Sequence, residues 1–366
     1  MLKRYLSTAL GIAVLVTAAT LSTQPLGAQE ASQTWKFAVS GDSRNCGSVV
    51  MPAIATSVIA SQASFYWHLG DLRYAQDFDE DMVQELKLKD MNRTMSIVEY
   101  MRYAWPDFIA NQIQPFGDLP YYVTLGNHDV VFPRTRQDFV QQFADWLVTP
   151  TLLAQRLKDN PANHLIQPYY HWVQGGVAFY SLDNASADMF DRAQMGWFNA
   201  VLKKDVADPA VKSIVVGMHA ALPGSLAGSH SMESSVNSTE TGRLVYKSLL
   251  DAQNVGKKNV YVLASHLHNY IAGAFNTDYW KNNGGVLPGW IVGTAGAYRS
   301  KLEPEMRANA TDAKEMVYGS LIGTVGPDGA VSFEFKTVEE NDVPASVVTN
   351  YGKDFVHYCF AENGEK

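Results

Sequence analysis

Residues 121–129 read Tyr-Tyr-Val-Thr-Leu-Gly-Asn-His-Asp. The run Tyr121–Leu125 has the length and the aromatic, β-branched composition of a buried strand, and it stops at a glycine followed by an amide, an imidazole and a carboxylate. Four other runs are built the same way. Trp35–Ser40 stops at Gly41-Asp42, Ser64–Leu69 at Gly70-Asp71, Ser213–Val216 at Gly217-Met218-His219, and Asn259–Ala264 at Ser265-His266-Leu267-His268. Open α/β sheets bind ligands beyond the C-terminal ends of their strands. The repeated placement of Asp, Asn and His there predicts one shared site at a sheet edge.

Between these runs lie helix-like stretches. Val49–Gln62 fits a right-handed crossover between the first two strands. Asp81–Tyr103 reads as one longer helical insertion, and Arg136–Trp146, Arg192–Lys204 and Thr241–Ala252 as further helices. Tyr169–Val173 and Val177–Leu182 flank Gly175-Gly176 as a hairpin. Trp290–Val292, Tyr318–Val325 and Val331–Thr337 read as strands, the last two joined through Pro327-Asp328-Gly329. Hairpins mixed with crossovers predict an α/β protein of two packed mixed β-sheets flanked by helices. No linker divides the chain, so residues 29–366 read as a single domain, with the Gly/Ser-rich stretch Pro223–Ser238 as a mobile loop beside the site.

The N-terminus reads as a secretory signal over residues 1–28: Lys3 and Arg4, then an uncharged and mostly apolar run from Ala9 to Leu21, then Gly27 and Ala28. Thr17, Thr20, Ser22 and Thr23 interrupt the uncharged stretch, Pro25 ends it, and its apolar core is shorter than the roughly 20 residues of a spanning helix. The expected product is secreted or periplasmic, with no membrane span after signal removal. The 366 residues carry 29 basic and 37 acidic side chains, net −8. Losing Lys3 and Arg4 leaves 27 against 37, or −10. That balance argues against a nucleic-acid scaffold binder, which needs a basic face. With 46% apolar and 18% charged residues, the composition excludes disorder as the main state. The two cysteines, Cys46 and Cys359, suit an exported protein. A bridge between them would tie the C-terminal tail to the first loop, but spacing alone leaves bridge and separate thiols both open.

Asp42, Asp71, Tyr74, Asn127, His128, Asp129, His219, His266 and His268 thus gather at predicted strand ends. Singly, each has an ordinary explanation as a turn, a cap or a satisfied core residue. Together they form a mixed oxygen and nitrogen set suited to zinc, manganese or iron. The ordered motifs Gly41-Asp42, Gly70-Asp71-Leu72-Arg73-Tyr74, Gly126-Asn127-His128-Asp129, Gly217-Met218-His219 and Ser265-His266-Leu267-His268 resemble the calcineurin-like metallophosphoesterase superfamily over roughly residues 35–300. Asp71 followed three residues later by Tyr74 resembles the purple acid phosphatases. The resemblance implies a four-layer sandwich with two metal ions, iron paired with zinc, manganese or a second iron. One ion would take Asp42, Asp71, Tyr74 and His268. The other would take Asp71, Asn127, His219 and His266, so that Asp71 bridges. Such paired ions lower the pKa of a bound water and clamp an in-line displacement on a phosphorylated small molecule.

The same resemblance turns His128 toward the substrate, as a cationic stabiliser or a proton donor, with Asp129 orienting its ring. Two positions depart from the family pattern. Arg44 stands where many members carry a histidine; it cannot ligate a metal, which leaves a fork onto phosphate oxygens or a surface role. Ser265 replaces a usual glycine. His230, on the Ser-rich stretch, is a candidate general acid or an exposed loop histidine, and His164 and His171 read as structural. The sequons at Asn92, Asn184, Asn237 and Asn309 are candidate glycosylation sites only on a eukaryotic secretory route. The expected activity is an exported, acid-phosphatase-like hydrolysis of phosphate monoesters. A phosphodiesterase or nucleotide hydrolase with the same centre is the rival, followed by a non-catalytic metal-binding protein on this scaffold.

Overall fold

Twelve strands in two sheets carry the motifs of the computed structural model, which describes residues 34–88, 96–161, 165–185 and 189–364. The expected signal segment, His164 and Asn92 lie outside the described residues. In chain order the strands are β1 (Trp35–Ser40), β2 (Ala63–His68), β3 (Tyr121–Val123), β4 (Tyr170–Gln174), β5 (Val177–Ser181), β6 (Ser213–Met218), β7 (Asn259–Ala264), β8 (Tyr270–Ala272), β9 (Gly289–Val292), β10 (Asp312–Lys314), β11 (Tyr318–Val325) and β12 (Val331–Val338). One sheet runs β12-β11-β1-β2-β3 and the other β10-β8-β9-β7-β6-β5-β4. β1, β2 and β3 are mutually parallel, as are β5, β6, β7 and β9. The remaining pairings are antiparallel, so both sheets are mixed.

Alternation decides what each sheet buries. From β1 and β2, Phe37 and Phe65 point toward the other sheet and meet Phe179 of β5 at 5.1 and 5.3 Å between ring centres. Trp67 meets Trp172 of β4 at 5.2 Å. A polar thread crosses the same interface, where Trp67 Nε1 donates to Thr124 Oγ1, itself 2.8 Å from Ser181 Oγ. The intervening residue Tyr66 faces outward, where its hydroxyl meets Ser40 Oγ at 2.5 Å. The helix Gly47–Ala60 covers that outer face and is apolar nearly all round, because the helices Ala345–Tyr351 and Lys353–Ala361 pack on its other side. Helices Arg192–Ala207 and Val236–Asn254 cover the far face of the second sheet with a separate apolar cluster. The result is helix, sheet, sheet, helix. Among the described residues no helix is long and apolar enough to cross a membrane.

Several sequence expectations need correction. The insertion expected as one helix over Asp81–Tyr103 is two, Glu80–Leu88 and Ile97–Phe108. Ser96 starts the second by accepting the N–H of Glu99, a Ser-x-x-Glu start signal that a reading by apolar spacing passes over. Pro223–Ser238 is held rather than loose. Leu226 N–H donates to Ala274 O and Met232 N–H to Ala221 O, and Ser235 caps a helix that begins at Val236. The hairpin at Gly175-Gly176 forms as expected, both glycines having positive φ (54° and 79°). Asn184, a sequon residue, is buried with Nδ2 donating to Ala220 O. His171 is structural: it is buried between Asp159 (3.0 Å) and Asp205 (2.9 Å).

Cys46 and Cys359 form a disulfide across 313 residues. It fastens the C-terminal helix to the residue whose carbonyl accepts the first N–H groups of helix Gly47–Ala60, those of Val49 and Val50. Cross-linking so long a loop removes much unfolded-state entropy, worth about 2–5 kcal/mol. The Cys46→Ala/Cys359→Ala double variant should therefore melt roughly 5–10 °C below the parent. Two titratable thiols in the denatured, unreduced protein would refute the bridge.

Candidate metal centre

Parallel pairing brings the C-terminal ends of β1, β2 and β3 in one sheet, and of β6 and β7 in the other, to one edge. The loops that follow are stitched to each other. Asp42 N–H donates to Gly70 O (2.9 Å), Ser43 N–H to Asp71 O (3.1 Å), Ser265 N–H to His219 O (2.9 Å) and Ala297 N–H to Asp42 O (2.9 Å). The turns are abrupt. Asp42, Asp71 and His266 adopt φ of 60°, 57° and 66°, a region that costs a non-glycine residue of order 1 kcal/mol. Gly126 allows the closest approach: a Cβ there would lie 2.2 Å from Asp71 N and 2.3 Å from its Oδ1.

Four acceptor atoms converge in this space. His219 Nε2 lies 2.9 Å from Asn127 Oδ1, 3.0 Å from His266 Nδ1 and 3.3 Å from Asp71 Oδ1. The other nitrogen of His219, Nδ1, is 3.0 Å from Leu69 O. That carbonyl only accepts, so Nδ1 carries a proton and Nε2 is the atom that faces the cluster. One ligand atom each from Asp42, Asp71, His219 and His266 fall within 4.8 Å of one another. Next to them, Asp42 Oδ1 and Asp71 Oδ2 are buried and accept no hydrogen bond. Buried carboxylate oxygens without donors, facing converging lone pairs, are unfavourable unless a cation joins them, so the residues present fit a metal. The two histidines are shifted in opposite directions. Burial opposes a charge on His219, but Asp71 and Asp42 outweigh it and push its pKa up to about 9. Burial, reinforced by His219, drives His266 down to about 3, so its lone pair is free.

The remaining predicted residues fall into place around this cluster, with three corrections. Asp129 does not orient His128. Its carboxylate accepts the N–H groups of Gly126 (2.9 Å), Asp71 (3.0 Å) and Leu72 (3.2 Å), while His128 Nδ1 is buried without a partner. His128 is not cationic in this arrangement either. Burial, with Arg44 adding to it against Asp71, lowers its pKa to about 4, and its Nε2 sits 2.8 Å from Arg44 Nη1. Arg44 is not a surface residue. It is buried, with Nη2 3.0 Å from His268 Nε2 and Nε 3.7 Å from Asp71 Oδ2. His268 Nε2 is in turn 3.3 Å from Asp42 Oδ1. Tyr74 lines the same space, its ring 4.8 Å from that of His128 and 4.9 Å from the Arg44 guanidinium carbon. His230 is exposed, with its ring 5.3 Å from that of His266.

Sequence reasoning missed the supports. Ser265 Oγ donates to Leu69 O (2.8 Å) beside His219 Nδ1, so the serine in place of glycine helps to fix the histidine. His68 accepts Gly70 N–H on Nδ1 and faces Ser43 Oγ with Nε2. Arg73, fully buried, bonds Ser48 Oγ (2.7 Å), Asp81 (2.8 Å) and Asp107. Asp79 receives the backbone N–H of Asn45 and of Tyr74. Arg73 lay inside a quoted motif, but its acidic partners sit on a different element, and no spacing rule points to them.

One solved structure, described as "Structure of PhoD", overlays with a TM-score of 0.49 at 13% identity, covering 90% of this chain and 77% of its own. No curated protein matches the chain. Residues 51–270, more than half of the chain, match the model of the family described as calcineurin-like phosphoesterase. That segment contains Asp71, Tyr74, Asn127, His128, His219, His266 and His268. The chain belongs to the calcineurin-like phosphoesterase family.

Proposed function

We propose that this protein is an exported, metal-dependent phosphomonoesterase. The observation that carries the reading is the convergence of Asp71, Asn127 and His266 within 3.3 Å of His219 Nε2, beside two donorless carboxylate oxygens. In this reading Asp71, Asn127, His219 and His266 hold one cation. Asp42, Asp71, Tyr74 and His268 hold the other. Cations there supply Lewis acidity, acidifying water and neutralising phosphoryl oxygens.

The chain's own residues do the rest. Asp71 keeps one oxygen toward each position, and Asp129 holds its backbone through three N–H groups. Arg44 and His128 lie side by side at 2.8 Å. Arg44 offers a fork of donors to phosphoryl oxygens, and the neighbouring imidazole takes up or returns a proton at Nε2 as the arginine turns to the substrate. His230, exposed beside His266, would be available to protonate a leaving alkoxide. A terminal phosphoryl dianion gains more from the added guanidinium than a diester monoanion does, which favours monoesters. The Cys46–Cys359 bond supports export, since such bonds persist in oxidising compartments. Tyr74, three residues after Asp71, supports a purple-acid-phosphatase-like centre with iron at the Asp42/His268 position and zinc, manganese or iron at the other.

Three measurements test this reading. Asp71→Asn should lose metal and lower hydrolysis by roughly 10²–10³-fold with an unchanged circular dichroism spectrum; full metal content and activity would remove Asp71 as the bridge. Hydrolysis of p-nitrophenyl phosphate should exceed that of bis(p-nitrophenyl) phosphate in kcat/KM, and the reverse order would favour the phosphodiesterase reading. Iron-loaded protein should show a violet phenolate band that Tyr74→Phe abolishes; a band unchanged in that variant would take Tyr74 out of the ligand set.

A further inference from the structure

Two candidate cation positions share Asp71, yet their surroundings differ. Around His219 Nε2 the facing atoms are oxygen and nitrogen lone pairs: Asn127 Oδ1, His266 Nδ1 and Asp71 Oδ1. Among the described residues no arginine or lysine is paired with these atoms. The other position is lined by Asp42 Oδ1, Asp71 Oδ2 and His268 Nε2, and here a permanent cation already stands. Arg44 Nη2 is 3.0 Å from His268 Nε2, its Nε is 3.7 Å from Asp71 Oδ2, and its guanidinium lies over the Tyr74 ring. A guanidinium has no accessible neutral state. Its contact with His268 therefore uses the lone pair a metal would need, and the proton on it cannot be given up to make room.

We propose that the two cation positions have unequal affinity because the Arg44 guanidinium acts as a competing cation at the Asp42/His268 position. The inference rests on the metal-dependent reading above and concerns only how the centre fills. The Asn127/His219/His266 position fills first. A second ion enters only when Arg44 swings off His268, and an anion that accepts the guanidinium fork draws it away. Phosphate and the second ion therefore help each other to bind, by thermodynamic linkage.

Equilibrium dialysis of the metal-stripped protein against zinc, with elemental analysis, tests this without reference to activity. Wild type should bind one ion tightly and a second roughly 10²-fold more weakly. Inorganic phosphate should tighten the second ion and leave the first unchanged. Arg44→Gln and Arg44→Ala, checked for native melting, should bring the two affinities to within about tenfold and lose the phosphate effect. Arg44→Lys, which keeps the charge, should retain most of the gap. Asn127→Ala should remove the tight class and His268→Ala the weak one. Two equal affinities in wild type, or a gap unchanged in both neutral variants, would overturn the inference. Binding of no ion by any of these proteins would instead overturn the metal-dependent reading itself.

Discussion

The carboxylate of Asp129 accepts three backbone N–H groups, from Gly126 on its own loop and from Asp71 and Leu72 on the neighbouring one. That single group locks the ends of β2 and β3 together and holds Asp71 in a left-handed conformation it would not otherwise keep. Burial and the charge of Asp71 push the Asp129 pKa up to about 7, opposed by the backbone donors, and it is those donors that make a buried carboxylate tolerable there. Asp71 in turn accepts His128 N–H (2.9 Å). The loops after β1, β6 and β7 are in turn bonded to Leu69, Gly70 and Asp71.

Charge is balanced across the centre. Asp42 and Asp71 are both held well below the usual carboxylate range: burial opposes this, while His219 outweighs it in both cases, with Arg44 adding to it at Asp71. Against them stand the His219 proton and Arg44. These two positive groups differ in kind. His219 can release a proton; Arg44 can only move. The chemical difference between imidazolium and guanidinium thereby becomes a difference between the two halves of one site.

A separate layer of buried charge supports the Tyr74 side. Arg73 lies among Ser48, Asp79, Asp81 and Asp107 with no solvent exposure. Burial and the neighbouring acids push Asp81 up to about 7, against Arg73. This cluster ties the loop after β2 to the first helix and to the helix Ile97–Phe108, and through the bond from Tyr74 N–H to Asp79 it fixes the backbone that carries Tyr74. The disulfide at Cys46, two residues beyond Arg44, anchors the loop after β1.

Much of this was legible in the chain. The five strand-and-turn units were readable from the residues alone, because each is local: a run of β-branched and aromatic residues ended by glycine or serine and polar groups needs no distant partner to be recognised. The residues of the candidate centre were readable for the same reason, as was the hairpin at Gly175-Gly176. Local pattern did not show β8 and β10, three residues each, which form only because β9 and then β8 offer an edge. Nor did apolar spacing separate Glu80–Leu88 from Ile97–Phe108. Long-range packing set the pairing of Cys46 with Cys359, the turning of Asp129 onto backbone N–H groups, and the burial of Arg44 between His128 and His268. Each of these depends on groups far apart in the chain meeting in a space from which water is excluded, and local spacing carries no record of which loops the two sheets bring together.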